Sequence, residues 1–159
     1  MTPDVPKLAD FMCFAVYSAN LAYGRAYKPI LDKLGVTYTQ YIAIVALWEE
    51  DHQTVGQLGD KLFLESNTLT PILKKLESVG LVTRARDPRD ERQVLVSLTD
   101  AGRALREQGA EMDLVAATGL TLDELRILQR GVATLRDSLR EHVQQTEHRL
   151  GASSFLAQS

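Results

Sequence analysis

The feature that most constrains the fold is a change of hydrophobic period at Gly80. Before this glycine, the segment 67–79 repeats apolar residues every three or four positions, the spacing of one helix face. After it, the segments 81–86 and 93–98 alternate between apolar and polar residues, as half-buried strands do. The residues 87–92 between them are charged and include a proline, which indicates a turn. A helix therefore leads directly into a two-stranded hairpin, with Gly80 as the left-handed residue that ends the helix.

Several helix starts carry the capping-box pattern, in which a Thr hydroxyl accepts a backbone N–H and a Gln or Glu three residues later reaches back. The pairs are Thr37/Gln40, Thr54/Gln57 and Thr121/Glu124. Ser66 is the expected N-cap of the helix before Gly80. The second pair, Thr54/Gln57, opens a short helix over 55–62. A tight turn separates this short helix from the helix that begins at Ser66. A short helix, a turn, a second helix and a hairpin, in this order, predict a winged helix-turn-helix.

The segments that flank this region are helical and apolar. Segment 8–28 is apolar on most of its circumference, which predicts burial on several sides, in part against another subunit. Pro29 is expected to limit or kink this helix, and Gly35 closes the following turn. The last helix has an apolar seam typical of a helix that packs along another helix. The seam consists of Leu125, Leu128, Val132, Leu135, Leu139 and Val143.

The fold class that follows is mainly α (α+β). We predict a winged helix-turn-helix over 36–98, a helical dimerisation region formed by 8–35 and 99–149, and a flexible tail at 150–159.

Composition excludes several classes of protein. The 159 residues suffice for one domain, and no apolar run reaches the ~18 residues of a spanning helix. The first eight residues include two prolines and an aspartate and do not resemble a signal peptide, so we expect a cytoplasmic protein with no membrane partner. One cysteine excludes an intramolecular disulfide. The three histidines show no ligand spacing, and we expect neither metal nor cofactor.

The net charge of −3 hides an asymmetry along the chain. Residues 66–98 contain six Lys/Arg against four Asp/Glu, whereas both flanking segments are net acidic. Contacts with phosphate are therefore expected in this middle segment.

The outward side chains of this basic segment are the candidate DNA contacts. Taken alone, helix 66–79 would more often be a surface helix packed on a core, but the basic hairpin beside it favours DNA. The candidates on the helix are Ser66, Asn67, Thr68, Thr70, Pro71, Lys74 and Lys75, and those on the hairpin are Arg84, Arg86, Arg89, Asp90 and Arg92. Arg92 has two interpretations: it holds Asp90 to shape the hairpin, or it enters a minor groove.

The run 90–102, DERQVLVSLTDAG, resembles the wing and following helix start of the MarR family of bacterial regulators. Further segments resemble the organic hydroperoxide resistance regulators within that family. They are 13–19 (CFAVYSA), 27–29 (YKP), 37–41 (TYTQY), 47–49 (LWE) and 68–74 (TLTPILK). The resemblance spans about residues 8–142. It implies a homodimeric repressor of palindromic double-stranded operator DNA, not an enzyme, with the first and last helices as dimer interface.

The resemblance also assigns Cys13 as the residue that organic hydroperoxide oxidises to sulfenic acid. Tyr27 and Tyr38 are then the phenols that hydrogen-bond the thiolate across the dimer. Without the resemblance, a single Cys between Met12 and Phe14 would more often be an inert core thiol. Each tyrosine could equally be an amphipathic core residue with its hydroxyl at the surface. A thiol peroxidase is disfavoured because no histidine lies near Cys13.

The family's two-Cys branch traps the oxidised form with a second cysteine near the start of the last helix. Residues 116–120 contain none. The sulfenic acid must then persist, react with a small thiol, oxidise further or pair with another chain. A rival hypothesis is a MarR-type repressor released by a small-molecule ligand that does not oxidise it, with Cys13 incidental.

Overall fold

The computed structural model describes residues 7–109 and 114–156. After a 3-10 turn at Leu8–Asp10, the elements follow in this order: α1 (Met12–Leu34), α2 (Tyr38–Glu49), β1 (Gln53–Thr54), α3 (Val55–Leu62), α4 (Ser66–Ser78), β2 (Val82–Asp87), β3 (Asp90–Leu98), α5 (Asp100–Gly109), α6 (Leu114–Thr118) and α7 (Leu122–Leu156). The chain forms two compact units, one that ends after α5 and one that contains α6 and α7.

The core of the first unit is built where α2, α3, α4 and the sheet pack together. Its fully buried side chains are Ile44, Leu47, Leu58, Leu69, Leu73, Leu76, Val82 and Val96. Leu69, Leu73 and Leu76 follow the three-and-four spacing that predicted the inward face of α4. The helix-turn-helix and hairpin are thus confirmed, and Gly80 has the left-handed φ of +77° expected after α4.

The sheet differs from the predicted hairpin in two respects. The strands extend through Asp87 and from Asp90, so the turn is only Pro88-Arg89 and not 87–92. Charged residues continue the strands because this part of the wing lies outside the hydrophobic core; Asp87 is buried there and is paired with Arg89. In addition, β1 pairs with β3, with Gln53 opposite Val96, and gives the antiparallel order β1-β3-β2. A strand of two residues is too short to show a period in the sequence.

Helix α1 begins later and ends later than the apolar segment 8–28. Phe11 is extended (ψ 118°) and separates the 3-10 turn from α1. The helix passes through Pro29 and ends at Gly35 (φ +70°). The prediction that Pro29 limits the helix is therefore wrong. The burial of Leu31 and Leu34 on the core stabilises the turns after the proline and outweighs its missing hydrogen bond.

The first half of α1 leaves its apolar side chains uncovered in a single chain. Those exposed are Phe11, Met12, Val16, Tyr17, Leu21 and Tyr23. The predicted burial of this helix on several sides is thus not provided within the first unit.

The second unit consists of α6 and α7. All three predicted capping boxes form, including the one in which Thr121 and Glu124 open α7. Most of the predicted seam of α7 is exposed within its own unit. The backbone stays helical to Leu156, past residue 150 where the flexible tail was expected to begin; its flexibility stays a prediction. Extending a formed helix adds a hydrogen bond per residue without a new nucleus. Residues 157–159 lie outside the described residues.

Within the described ranges no single helix is long and apolar enough to cross a membrane. Among the described residues, α1 and α2 taken together have the length and composition of a span, but they are bent by 74° at the break between them.

Candidate nucleic-acid interface and redox site

The outward face of α4 carries short polar side chains followed by two cations. The buried leucines on its inward face fix which residues face solvent. The exposed residues are Ser66, Asn67, Thr68, Pro71, Lys74 and Lys75. Short side chains near the N-terminus of a helix allow it to approach base edges, and ammonium groups in its later turns suit phosphates. The structure therefore brings the predicted helix candidates onto one accessible face.

Thr70 differs from these residues because it is half-buried and its hydroxyl is already engaged. Its Oγ1 donates to the carbonyl oxygen of Ser66 at 2.7 Å, so the hydroxyl oxygen remains available only as an acceptor. The N-cap of α4 is Glu65, without a side-chain capping bond. The prediction of Ser66 as N-cap is wrong by one residue, because Glu65 is the last extended residue of the turn.

The turn between α3 and α4 depends on a close backbone approach at Gly59. A Cβ at this position would lie 2.7 Å from the carbonyl oxygen of Leu64. The N–H of Leu64 donates to the carbonyl of Gly59 at 2.9 Å, and Phe63 between them is left-handed (φ +58°). Because Leu64 also packs against the core, this turn sets the direction in which α4 leaves α3.

The wing tip is shaped by two Asp–Arg pairs. Asp87 accepts the backbone N–H of Arg89 at 2.8 Å and its Nε at 3.3 Å. These bonds hold the pKa of Asp87 below its usual range, and the bond from the backbone N–H has the largest effect. Asp90 accepts from Gln93 and from the backbone N–H and Nε of Arg92, which lower its pKa in the same way. Both carboxylates stay ionised at neutral pH and brace the turn.

Arg92 makes the contact with Asp90 that the first of its two interpretations requires. Its Nε lies 3.2 Å from Oδ1 of Asp90, yet its side chain is 92% exposed. The guanidinium thus braces the wing and also faces outward. Its contact with DNA stays a prediction.

The other hairpin arginines have different surroundings. Arg84 is only 20% exposed: its Nε lies 3.0 Å from Glu77, which also accepts its backbone N–H. This clamp joins the last turn of α4 to β2, so Arg84 positions the wing rather than presenting an open cation. Arg86 is exposed and donates to the carbonyl of Glu91 at 2.7 Å. Of the predicted wing cations, Arg86, Arg89 and Arg92 face solvent.

A node at the base of the wing was not predicted. Asp51 Oδ1 accepts the N–H groups of His52 and Leu98, both at 2.9 Å, and Oδ2 accepts from Arg103 at 2.7 Å. Partial burial acts to raise the pKa of Asp51, but the two backbone bonds and the guanidinium outweigh it and lower the pKa. The node joins the end of α2, the end of β3 and the start of α5. The sequence did not indicate this node, because Asp51 and Arg103 are 52 positions apart.

Cys13 is the second residue of α1 and its thiol is exposed. It lies in an open hollow of about 370 Å³ whose other lining residues are Leu8, Phe11, Phe14 and Tyr17. Cys13 therefore lies in the first turn of its helix. Within the described ranges no group of three His, Cys, Asp or Glu side chains is placed to hold a metal ion.

The two predicted phenols lie together but apart from Cys13. The rings of Tyr27 and Tyr38 meet edge to face, with centroids 5.2 Å apart. Burial, and after it the neighbouring phenols of Tyr38 and Tyr41, raises the pKa of Tyr27 to about 12. Its hydroxyl therefore stays protonated and can donate. Cys13 and Tyr27 lie on the same helix and are separated by roughly 21 Å along its axis.

These elements define a class of protein: a winged-helix DNA-binding regulator. A model of the family described as transcriptional regulator SarA/Rot matches residues 25–108. The chain belongs to this family of winged-helix transcriptional regulators, and the predicted MarR-type, organic-hydroperoxide-type resemblance is confirmed.

Relatives match over most of the chain. It is 46% identical to the HTH-type transcriptional regulator TtmR of Methylorubrum extorquens, over 91% of this chain and 75% of the relative. It is 39% identical to the organic hydroperoxide resistance transcriptional regulator of Bacillus subtilis, over 87% and 95%. Among solved structures, reduced AbfR bound to DNA aligns with a TM-score of 0.71 and 36% identity, over 83% and 94%. The chain is therefore a DNA-binding transcriptional regulator and not an enzyme.

Proposed function

We propose that this regulator is a homodimeric repressor that releases operator DNA when organic hydroperoxide oxidises Cys13. The observation that carries the proposal is the position of the chain's one cysteine, exposed at the start of α1 in an apolar hollow. The similarity to a regulator named for organic hydroperoxide resistance supports the same oxidant.

The hollow favours an oxidant with an organic group. Leu8, Phe11 and Phe14 offer apolar surface to an alkyl or aryl substituent, which hydrogen peroxide lacks. The thiolate sulfur attacks the terminal peroxide oxygen, an S–O bond forms and the O–O bond breaks. The alkoxide leaves and takes up a proton, which yields the alcohol and cysteine sulfenic acid.

The phenols supply a contact that oxidation removes. Because Tyr27 lies roughly 21 Å from Cys13 along α1, a thiolate bound by Tyr27 and Tyr38 must come from a second copy of the chain. Tyr27 is suited to this contact, since its raised pKa keeps its hydroxyl a donor. A sulfenic acid carries less negative charge than a thiolate and accepts these bonds less strongly.

The apolar surfaces left open in a single chain provide the dimer interface. The first half of α1 and the seam of α7 expose large apolar side chains that a second copy would cover. These surfaces support dimerisation through 8–35 and 99–149, which leaves 36–98 to bind DNA. Two recognition helices must match successive major grooves about 34 Å apart, so a small shift between them breaks the match.

The test compares the full chain with Cys13→Ser. DNA fragments are first selected from a random pool by the reduced protein, and affinity is then measured before and after cumene hydroperoxide, with mass analysis of Cys13. Both proteins should bind when reduced, and only the wild type should lose affinity. Hydrogen peroxide at equal concentration serves as the control oxidant and should act more slowly. Release of the Cys13→Ser variant by cumene hydroperoxide would refute the proposal.

A second candidate is release by a ligand that does not oxidise the protein. A second hollow of about 370 Å³ is lined in part by Tyr23, Arg25, Lys28 and Tyr38. The ammonium of Lys28 is paired with Asp32 at 2.8 Å, so Arg25 is the cation that suits an organic anion. The test adds a carboxylate such as salicylate to the reduced Cys13→Ser variant bound to DNA. Dissociation of the DNA would favour this candidate.

A further inference from the structure

Four aromatic rings form a continuous row that begins at the two phenols. The ring centroids of Tyr38 and Tyr27 are 5.2 Å apart, those of Tyr27 and Tyr41 are 6.3 Å apart, and those of Tyr41 and Trp48 are 5.9 Å apart. The row ends at a polar contact, because the indole Nε1–H of Trp48 donates to the carbonyl of Gly102 at 2.9 Å. Gly102 lies in the first turn of α5, just after the wing.

We propose that this aromatic row transmits the state of the phenols to the base of the wing, and that Trp48 is the positioning residue at its wing end. The inference rests on the proposed function, since it takes Tyr27 and Tyr38 as the groups that respond to oxidation of Cys13. It adds the route by which a change at the phenols alters the DNA-reading elements of the same chain.

The row is suited to transmit a displacement because its members are rigid and packed. Tyr27, Tyr41 and Trp48 are half-buried and lie against the hydrophobic core. Protein interiors are close-packed, so a ring that moves towards the core displaces the neighbour packed there. Tyr38, the first ring of the row, is 41% exposed and can respond to a contact from outside. The contacts Tyr38–Tyr27 and Tyr41–Trp48 are edge to face and have a preferred geometry, which a shifted ring does not keep, whereas Tyr27 and Tyr41 are tilted at 50°. A movement of Tyr27 is therefore passed to Tyr41 and then to Trp48.

The far end of the row is joined to the wing by backbone contacts. A Cβ on Gly102 would overlap the carbonyl oxygen of Leu81, so the start of α5 lies directly against the start of the wing. Thr99 donates its N–H to Leu81 at 3.1 Å and its hydroxyl to the carbonyl of Gly80 at 2.6 Å. Gly80 and Leu81 connect α4 to β2. A shift at Gly102 thus reaches the joint between recognition helix and wing.

The first test uses Trp48 as its own reporter, since it is the only tryptophan in the chain. Its fluorescence is recorded for the full-length protein without DNA, before and after cumene hydroperoxide. We expect the emission to change when Cys13 is oxidised in the wild type and to stay constant in Cys13→Ser. An unchanged emission in wild type, with Cys13 shown by mass analysis to be oxidised, overturns the inference and leaves the proposed function intact.

The second test measures coupling as the ratio of the dissociation constants for operator DNA in the oxidised and reduced protein. Trp48→Phe keeps a ring beside Tyr41 and removes the Nε1–H donor. We expect it to bind DNA when reduced and to lower this ratio about fivefold or more. The matched control is Leu62→Val, another half-buried residue on the core that lies outside the row. It should leave the ratio unchanged.

The outcomes separate the two hypotheses. If the wild type does not release DNA on oxidation, the proposed function fails and this inference with it. If the wild type responds and Trp48→Phe keeps the wild-type ratio, only the inference fails. An equal fall of the ratio in Leu62→Val also overturns it, because lost stability would then explain both. Should Trp48→Phe not fold, Tyr41→Leu interrupts the row at another ring and takes its place with the same expected fall.

Discussion

Replacing Gly102 with alanine tests whether the start of α5 is as close to the wing as the structure indicates. Alanine normally stabilises a helix by about 1 kcal/mol relative to glycine. Here the added carbon would overlap the carbonyl oxygen of Leu81 and lie 3.2 Å from its carbonyl carbon and 3.1 Å from Leu98 Cδ2. We therefore expect the usual sign to reverse.

The magnitude follows from what has to move. Non-bonded carbons pack at about 3.5–4.0 Å, so α5 and the wing must separate by several tenths of an ångström or more. Overpacking costs about 1–3 kcal/mol, and the upper end applies because the obstacle is backbone. Loss of the bond from Trp48 or Thr99 adds about 1 kcal/mol. After the helix gain is subtracted, the free energy of unfolding should fall by about 3 kcal/mol.

The assay is urea denaturation of wild type, Gly102→Ala and the control Gly56→Ala, followed by Trp48 fluorescence at one protein concentration. Fixing the concentration matters because association with a second copy shifts the midpoint. Gly56 lies in the first turn of α3, where a Cβ would meet only Thr54 Oγ1 at an ordinary 3.8 Å. Gly56→Ala should be neutral or stabilising by up to about 1 kcal/mol. If Gly102→Ala is as stable as Gly56→Ala, the reasoning about this contact is wrong.

Two further predictions concern the wing base and the recognition helix. A lowered pKa means that Asp51 stabilises the fold above its unfolded pKa, and that this contribution is lost as the pH falls through the lower folded pKa. Asp51→Asn should thus lose about 1–3 kcal/mol at pH 7 and show a smaller drop in urea stability between pH 7 and pH 3; a drop equal to wild type would contradict this. Lys74→Ala should weaken binding to selected and to random DNA by the same factor. It should also reduce the slope of log affinity against log salt concentration by about 1, as measured by fluorescence anisotropy. Thr70→Val should lower the preference for selected over random DNA, and equal losses on both would contradict a role in base reading.

Local patterns predicted much of this fold because their causes are local. The capping boxes at Thr37, Thr54 and Thr121 form as expected, since both partners of each lie within one helical turn. The period change at Gly80 located the recognition helix and the wing. For the candidate site, the residue pattern predicted only which polar and basic residues share a helix face or the hairpin. The chain's resemblance to a known family supplied the predicted roles of Cys13 and the phenols.

Predictions were wrong where long-range contacts outweigh local preference. Pro29 does not end α1, because the turns after it are buried on the core. Arg84 was predicted as a candidate DNA contact, which stays a prediction; its clamp to Glu77 was not expected, because it arises only when β2 folds back along α4. The strand at Gln53 exists because β3 lies beside it.

The sequence by itself determined the order of the helix-turn-helix and the two wing strands, the inward face of α4, the basic charge of residues 66–98 and the single thiol on which a redox signal can act. These features follow from composition and from spacing within a few residues. The tertiary structure decided which arginines face solvent, that Asp51 and Arg103 join the wing to α5, and that the phenols connect through Tyr41 and Trp48 to Gly102. Those contacts join residues tens of positions apart, and their geometry is set by how the helices and the sheet pack, which no local pattern encodes.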